Sequence, residues 1–207
     1  MKPVPTSPEI AALRFFDRWI RHEAILHTSL QGGSPDEQRL AIGRTVTHFR
    51  VVRSLKRSAE EALGVPRFEP VRECLATVTV QEVSDDEFVA VTTEVARAIA
   101  SRYGGHSFLS LASKILWMKY RHPFVIYDSI VRAALGTRSA DYHTYVVAWH
   151  EQYSLHEGAI RRACAGLASS RHPLRTRLNV PAQAITPIAS EEWFRRRVMD
   201  FMFLDGA

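Results

Sequence analysis

Apolar positions recur along this chain at spacings of three and four, the pattern of helices that bury one face. Ser7-Pro8-Glu9 offers a capping hydroxyl, a proline suited to a first turn and an acid that complements the helix dipole. Behind it Ile10, Leu13, Phe16, Trp19, Ile20 and Ala24 form an apolar stripe, closed by Gln31-Gly32-Gly33. Ser34-Pro35-Asp36-Glu37 opens a second helix running to about Leu63, where Gly64 and Pro66 end it. That span is long enough to expect a break, at Gly43 or within Thr45-Val46-Thr47. Residues 76–83, Ala-Thr-Val-Thr-Val-Gln-Glu-Val, are the one strand-like stretch. A lone strand has nothing to pair with, so a short helix running into a turn is expected over 71–83.

Ser84-Asp85-Asp86-Glu87 marks the start of an amphipathic helix that runs to Tyr103 and stops at Gly104-Gly105. Further helices are expected over 106–119, 129–135, 142–153 and 156–168. Residues 169–189 carry Ser, Pro, Asn and Thr and read as a long ordered loop or partner-binding segment. Ser190-Glu191-Glu192 then caps a last helix through Trp193, Phe194, Val198, Phe201 and Met202. The expected fold class is all-α: one globular unit over 1–207, or two helical lobes, 1–105 and 106–207, around a cleft.

Composition narrows the setting. A hydrophobic share of 46% and a charged share of 24% in 207 residues are ordinary for a globular chain. No apolar run approaches the ~20 residues of a membrane span, and the first residues lack an apolar signal core. A cytoplasmic protein without membrane association is expected. Cys74 and Cys164 are far apart and too few for a four-cysteine cluster, so reduced, buried thiols are expected. His143, His150 and His156 have gaps of seven and six, which place no close pair on one helix face. Neither metal nor cofactor is expected.

Charge changes the picture more. The net charge is +5, and 158–190 holds no acid while carrying Arg161, Arg162, Arg171, Arg175 and Arg177. Arg39, Arg44, Arg50, Arg53, Lys56 and Arg57, with His48 among them, form a second basic tract. Such tracts are either solvated helix faces or surfaces that neutralise phosphates and release counterions.

The segment from His106 to Leu135 carries the candidate chemistry. A helix packed by Ile115, Leu116 and Met118 runs out at Tyr120, and Arg121-His122-Pro123 leads to the apolar Phe124-Val125-Ile126. Asp128 follows, and a new helix starts behind it with Ile130, Val131 and Ala134. Taken alone, Asp128 reads as a helix cap accepting backbone N–H groups.

The order helix, Pro-containing connector, apolar-apolar-Asp, helix resembles the helix–hairpin–helix superfamily of DNA glycosylases. The match runs from Ile115-Leu116 through Phe124 to Asp128 and on to Val131-Arg132-Ala133-Ala134-Leu135, about an eighth of the chain. The resemblance implies that Asp128 is a catalytic carboxylate, stabilising charge on the sugar and activating water. Eighteen positions before that Asp, lyase-competent members carry Lys; here Ser110 stands there, which implies hydrolysis to an abasic site without strand cleavage. Lys114 lies one turn further on the same face and is the alternative amine nucleophile.

Trp117 and Tyr127 are the aromatics expected to line the slot for a flipped base, with Ser110 beside them. Arg197 and Asp200, three apart on the last helix, are expected to pair with each other or to brace the base pocket. The family's Leu-Pro-Gly-x-Gly hairpin has its nearest counterpart in Tyr103-Gly104-Gly105-His106-Ser107, without the proline and with shifted spacing. Gly104, Gly105, His106 and Ser107, with Arg132, Arg171 and Arg175, are the expected DNA contacts.

The function expected on this resemblance is a monomeric, monofunctional DNA N-glycosylase acting on a modified or damaged base in double-stranded DNA. The chain also resembles compact bacterial proteins of 8-oxoguanine-glycosylase-like fold, some of which defend against phage. A modified cytosine in phage DNA is therefore a target to weigh beside oxidised guanine. The alternatives are a non-catalytic helical DNA-binding protein and a helical adaptor using residues 169–189.

Overall fold

A computed structural model describes residues 5–51, 55, 57–79, 87–104, 107–138 and 141–204, and every regular element among them is helical. The all-α expectation holds. The chain divides into two compact units: residues 23–127 form one, and residues 1–22 with 128–207 form the other.

The unit of residues 23–127 is built from α2 (Ala24–Gly32), α3 (Pro35–His48), α4 (Ala59–Ala62), α5 (Glu69–Ala76), α6 (Phe88–Tyr103) and α7 (Leu109–Tyr120). Ser34 starts α3 through a reciprocal capping box. Its hydroxyl accepts from the Glu37 amide, and the Glu37 carboxylate accepts the Ser34 amide at 2.7 Å. The helix ends at His48, well short of Leu63, in a turn where Arg50 takes φ 56°. Gly43 does not break it. A Cβ there would lie 2.8 Å from Cε2 of Phe68, so the glycine makes room for that ring.

The short helix expected near Val71 is α5, and Thr77–Thr79 form no strand; the rest of the strand-like stretch and Ser84-Asp85-Asp86 lie outside the described residues. Glu69 fastens α5 to α3, accepting from Arg39 at 2.8 Å while also pairing with Arg72 at 2.5 Å. The unit's core is α7, buried without interruption from Leu111 to Met118 and packed by α2, α3 and α6. A helix apolar nearly all round is one that must be surrounded.

The other unit is built from α1 (Pro8–Arg18), α8 (Ser129–Ala134), α9 (Tyr142–Gly166), α10 (Pro173–Arg177), α11 (Ala182–Ser190) and α12 (Glu192–Leu204). Its centre is aromatic. The Phe15 ring lies 4.8 Å from Phe194, 5.1 Å from Phe201 and 6.1 Å from Trp193, and Trp19 lies 4.5 Å from Trp193. These contacts explain why α1 belongs with the C-terminal helices, and why the division expected after Gly105 is not the one found. The chain leaves this unit inside a π-helical turn, Trp19–Glu23, and re-enters it at Asp128.

Two further expectations are corrected here. The helices expected over 142–153 and 156–168 are one, α9, followed by a 3₁₀ turn (Leu167–Ser169). Neither Ser154 nor Leu155 breaks a helix, and Asp141 caps the start by accepting the Thr144 amide at 2.8 Å. Residues 169–189 are not a long loop. Pro173 opens α10, whose first turn is capped when His172 Nδ1 accepts the Leu174 amide at 3.2 Å. In α11, Ile185 and Ala189 are four apart and buried, and α11 packs on α9 and α12. The buried pair Ile185 and Ala189 outweighs Pro187, which costs α11 one backbone bond.

Candidate active site

α7 ends where Arg121 takes φ 65°, and a cis His122–Pro123 bond leads into an extended stretch, Phe124 to Tyr127, whose residues are all buried. That stretch is fastened from α7: the Tyr127 amide donates to Ser113 Oγ at 2.9 Å. Asp128 comes next, at the N-cap of α8. Its Oδ1 accepts the Ile130 amide at 2.9 Å, so the capping role read from the sequence is present. The residue is half-buried. A cap bond fixes the carboxylate's direction, which is also what a catalytic carboxylate needs.

Within its own unit, Asp128 stands close enough to Asp200 and Tyr145 to act on their ionisation. Asp200 is buried on α12. One of its oxygens pairs with Arg197 at 2.5 Å and the other accepts from Trp149 Nε1 at 2.7 Å. Burial pushes the Asp200 carboxyl up, Arg197 and Trp149 oppose that, and the neighbouring Asp128 adds to the upward push. Tyr145 is fully buried, and its hydroxyl is held well above the usual range, first by burial and then by Asp200, Tyr142 and Asp128.

Trp149 stacks on Tyr153 with centroids 5.4 Å apart, and the Arg196 guanidinium sits 5.2 Å from the Trp149 ring. Arg197 and Asp200 thus pair with each other, and both are buried. They form a brace behind α8 rather than an open contact surface, since α12 packs on both α8 and α9.

In the other unit, Lys114 is buried on α7. Its Nζ donates to Ser110 Oγ at 2.7 Å and to the Tyr127 carbonyl at 3.4 Å, and lies 6.0 Å from the centre of the Phe49 ring. Ser110 and Lys114, alternatives for one role in the sequence, are hydrogen-bonded neighbours. Trp117 and Tyr127 are both buried, at 3% and 8% exposure. Gly104 ends α6 in the left-handed region at φ 85°, and Ser107 is exposed; Gly105 and His106 lie outside the described residues. α7 has no side-chain cap at Phe108.

The arginines expected at DNA divide. The Arg132 guanidinium donates to the Arg138 carbonyl, fixing the turn after α8. Arg175 Nε donates to the Ala168 carbonyl at 3.2 Å, and Arg171 is exposed. In the second tract, Arg39 is engaged by Asp36 and Glu69, which makes it part of the scaffold.

Sequence reasoning missed Glu23 and read His48 only as a member of the second basic tract. Glu23 is fully buried at the end of the π-helical turn, and its Oε1 lies 3.0 Å from His48 Nε2. The His48 ring meets Phe49 edge-on at 5.0 Å, and Phe49 underlies Lys114. A signal existed: Glu23 falls four residues after Trp19 and seven after Phe16, on the apolar stripe, where an acid demands a partner. A π-turn at such a residue is a frequent mark of function.

Among the described residues, no three His, Cys, Asp or Glu side chains gather as metal ligands. Both thiols are buried and pushed up by that burial, Cys164 to about 12, so neither is poised as a nucleophile. No helix among the described residues is long and apolar enough to cross a membrane. Comparison with protein-family models, with curated proteins and with solved structures found no match to this chain.

Proposed function

We propose that this protein is a DNA N-glycosylase that hydrolyses the bond between a modified or damaged base and its sugar, leaving an abasic site. The observation that carries the reading is Asp128: a half-buried carboxylate, aimed by its cap bond to the Ile130 amide, directly after the buried Phe124–Tyr127. The order of elements around it resembles that of the helix–hairpin–helix glycosylases, which supports the reading. As the glycosidic bond lengthens, positive charge grows on the sugar, and a fixed carboxylate stabilises it without reorganising. Water then adds its oxygen to the anomeric carbon and gives a proton to Asp128, while the base leaves with the bonding pair.

Ser110, where the lyase members carry an amine, supports hydrolysis alone. Lys114, whose Nζ is 2.7 Å from the Ser110 hydroxyl, is the residue through which a covalent route would run. The substrate class proposed is a modified cytosine of phage DNA or an oxidised guanine, on the resemblance alone. A non-catalytic DNA-binding protein is the second reading, favoured by the same cap bond, because capping by itself accounts for an Asp at that position.

The test incubates the protein with duplexes carrying oxidised guanine and with phage DNA containing glucosylated or unmodified cytosine, followed by alkali. Strand breaks in one substrate, reduced about 100-fold or more in Asp128→Asn, are expected. No breaks in any substrate, or an undiminished variant, would refute the enzyme.

A further inference from the structure

The acid-free stretch from 158 to 190 does more in the fold than cover a face. Its helix α10 lines a groove of about 390 Å³ together with α1 and the π-turn that follows α1. Leu13, Leu178 and Phe201 are buried and make an apolar floor, with the half-buried Leu174 beside them. The rim is guanidinium: Arg14, Arg21 and Arg177 are exposed and Arg18 is half-buried, against the single acid Asp17. Asp17 holds Arg21 Nε at 2.5 Å, which fixes where that arginine stands.

Arg14, Arg18 and Arg21 follow one another at four and three residues, a stripe about 10 Å long at helical rise. We propose that this groove docks an acidic, leucine-bearing helical segment of a partner protein. Acids spaced four and three on such a helix match the arginine stripe, and the leucines between them reach the apolar floor. Arginine rims around small apolar pockets are a recurring feature of protein interfaces, and amphipathic helices are read at these same spacings.

A nucleic-acid strand fits less well. Its phosphates would satisfy the rim and leave the aliphatic floor facing a charged backbone. The one aromatic ring on the floor is already flanked: Arg18 lies 5.5 Å and Arg197 5.2 Å from the centre of Phe201, so base stacking has no platform there. The docking inference stands apart from the glycosylase reading, since Asp128 is not among the groove's residues.

The probe is a labelled synthetic helical peptide with Glu at positions spaced four and three and Leu beside them, titrated into the full chain by fluorescence anisotropy. Binding is expected that weakens at least about tenfold in Arg14→Glu/Arg177→Glu and equally when the peptide leucines become serine. Both arginines are exposed, so the variant's far-UV circular dichroism should match the parent. No binding, equal binding of a Glu→Gln peptide, or unchanged affinity in the charge-reversed variant overturns the proposal. A variant that loses duplex-DNA affinity while keeping the peptide's also overturns it, and reassigns the groove to nucleic acid.

Discussion

Removing the charge of Asp200 should destabilise its unit far more than an ordinary polar substitution. The Arg197–Asp200 pair is buried on both sides, with a 2.5 Å contact, and Trp149 donates to the second oxygen at 2.7 Å. Asp200→Asn keeps an acceptor for Trp149 but leaves the guanidinium opposite a neutral group, a loss of about 3–5 kcal/mol for a broken buried pair. A domain's whole stability is about 5–15 kcal/mol, so the variant should sit near the edge of folding.

Arg197→Met should cost less at low pH than at neutral pH. Burial raises the Asp200 carboxyl above its ordinary 3.8, and losing Arg197 raises it further. An acid raised in the folded state keeps its full stability below the unfolded value and loses it as pH climbs toward the folded one. The Arg197→Met deficit should therefore grow as pH climbs past the parent's own raised Asp200 value, above which only the variant still loses stability. Urea titration followed by tryptophan emission suits the measurement, because Trp19, Trp149 and Trp193 all lie in this unit. The Arg197→Met/Asp200→Asn double variant should lose at least about 1.5 kcal/mol less than the summed singles. Additivity within about 0.5 kcal/mol would show that the two side chains do not depend on each other, and the brace behind α8 would be refuted.

Four other outcomes are expected. Asp128→Asn should unfold within about 0.5 kcal/mol of the parent, because Asn caps as well as Asp, whereas Asp128→Ala should lose about 1 kcal/mol; urea midpoints distinguish the two. Ser113→Ala strands the buried Tyr127 amide and should cost about 1–3 kcal/mol by the same titration. Glu69, held down to about 2 by Arg72 and then Arg39, contributes stability above its unfolded value of 4.5 that is lost as pH falls toward 2. Glu69→Gln should flatten that acid limb by about 1–2 kcal/mol after allowance for solvent, read from thermal melts between pH 5 and 2.5. Borohydride should trap no DNA adduct if hydrolysis is the route; an adduct that disappears in Lys114→Met would transfer the chemistry to that amine.

Periodicity and end signals alone determined much of this protein. The capping residues Ser7 and Ser34 and the stopper Gly104 stand where helices begin and end in the structure, because caps act within one turn of chain. Asp128 was legible for the same reason: a cap and the apolar run before it are local. Other features depend on partners distant in sequence, which no spacing encodes. Gly43 looked like a break until the Phe68 ring took the place of its missing side chain.

The Ser- and Pro-rich stretch looked like a loop until α9 and α12 gave Ile185 and Ala189 a surface to bury against. Arg197 and Asp200 were a legible pair, yet only packing beneath Trp149 and Tyr145 turned them from surface charges into a buried brace. Glu23 shows the divide most sharply. Its place on the apolar stripe was written in the sequence, but its partner His48 stands twenty-five residues away, supplied by the fold of α3 against α2.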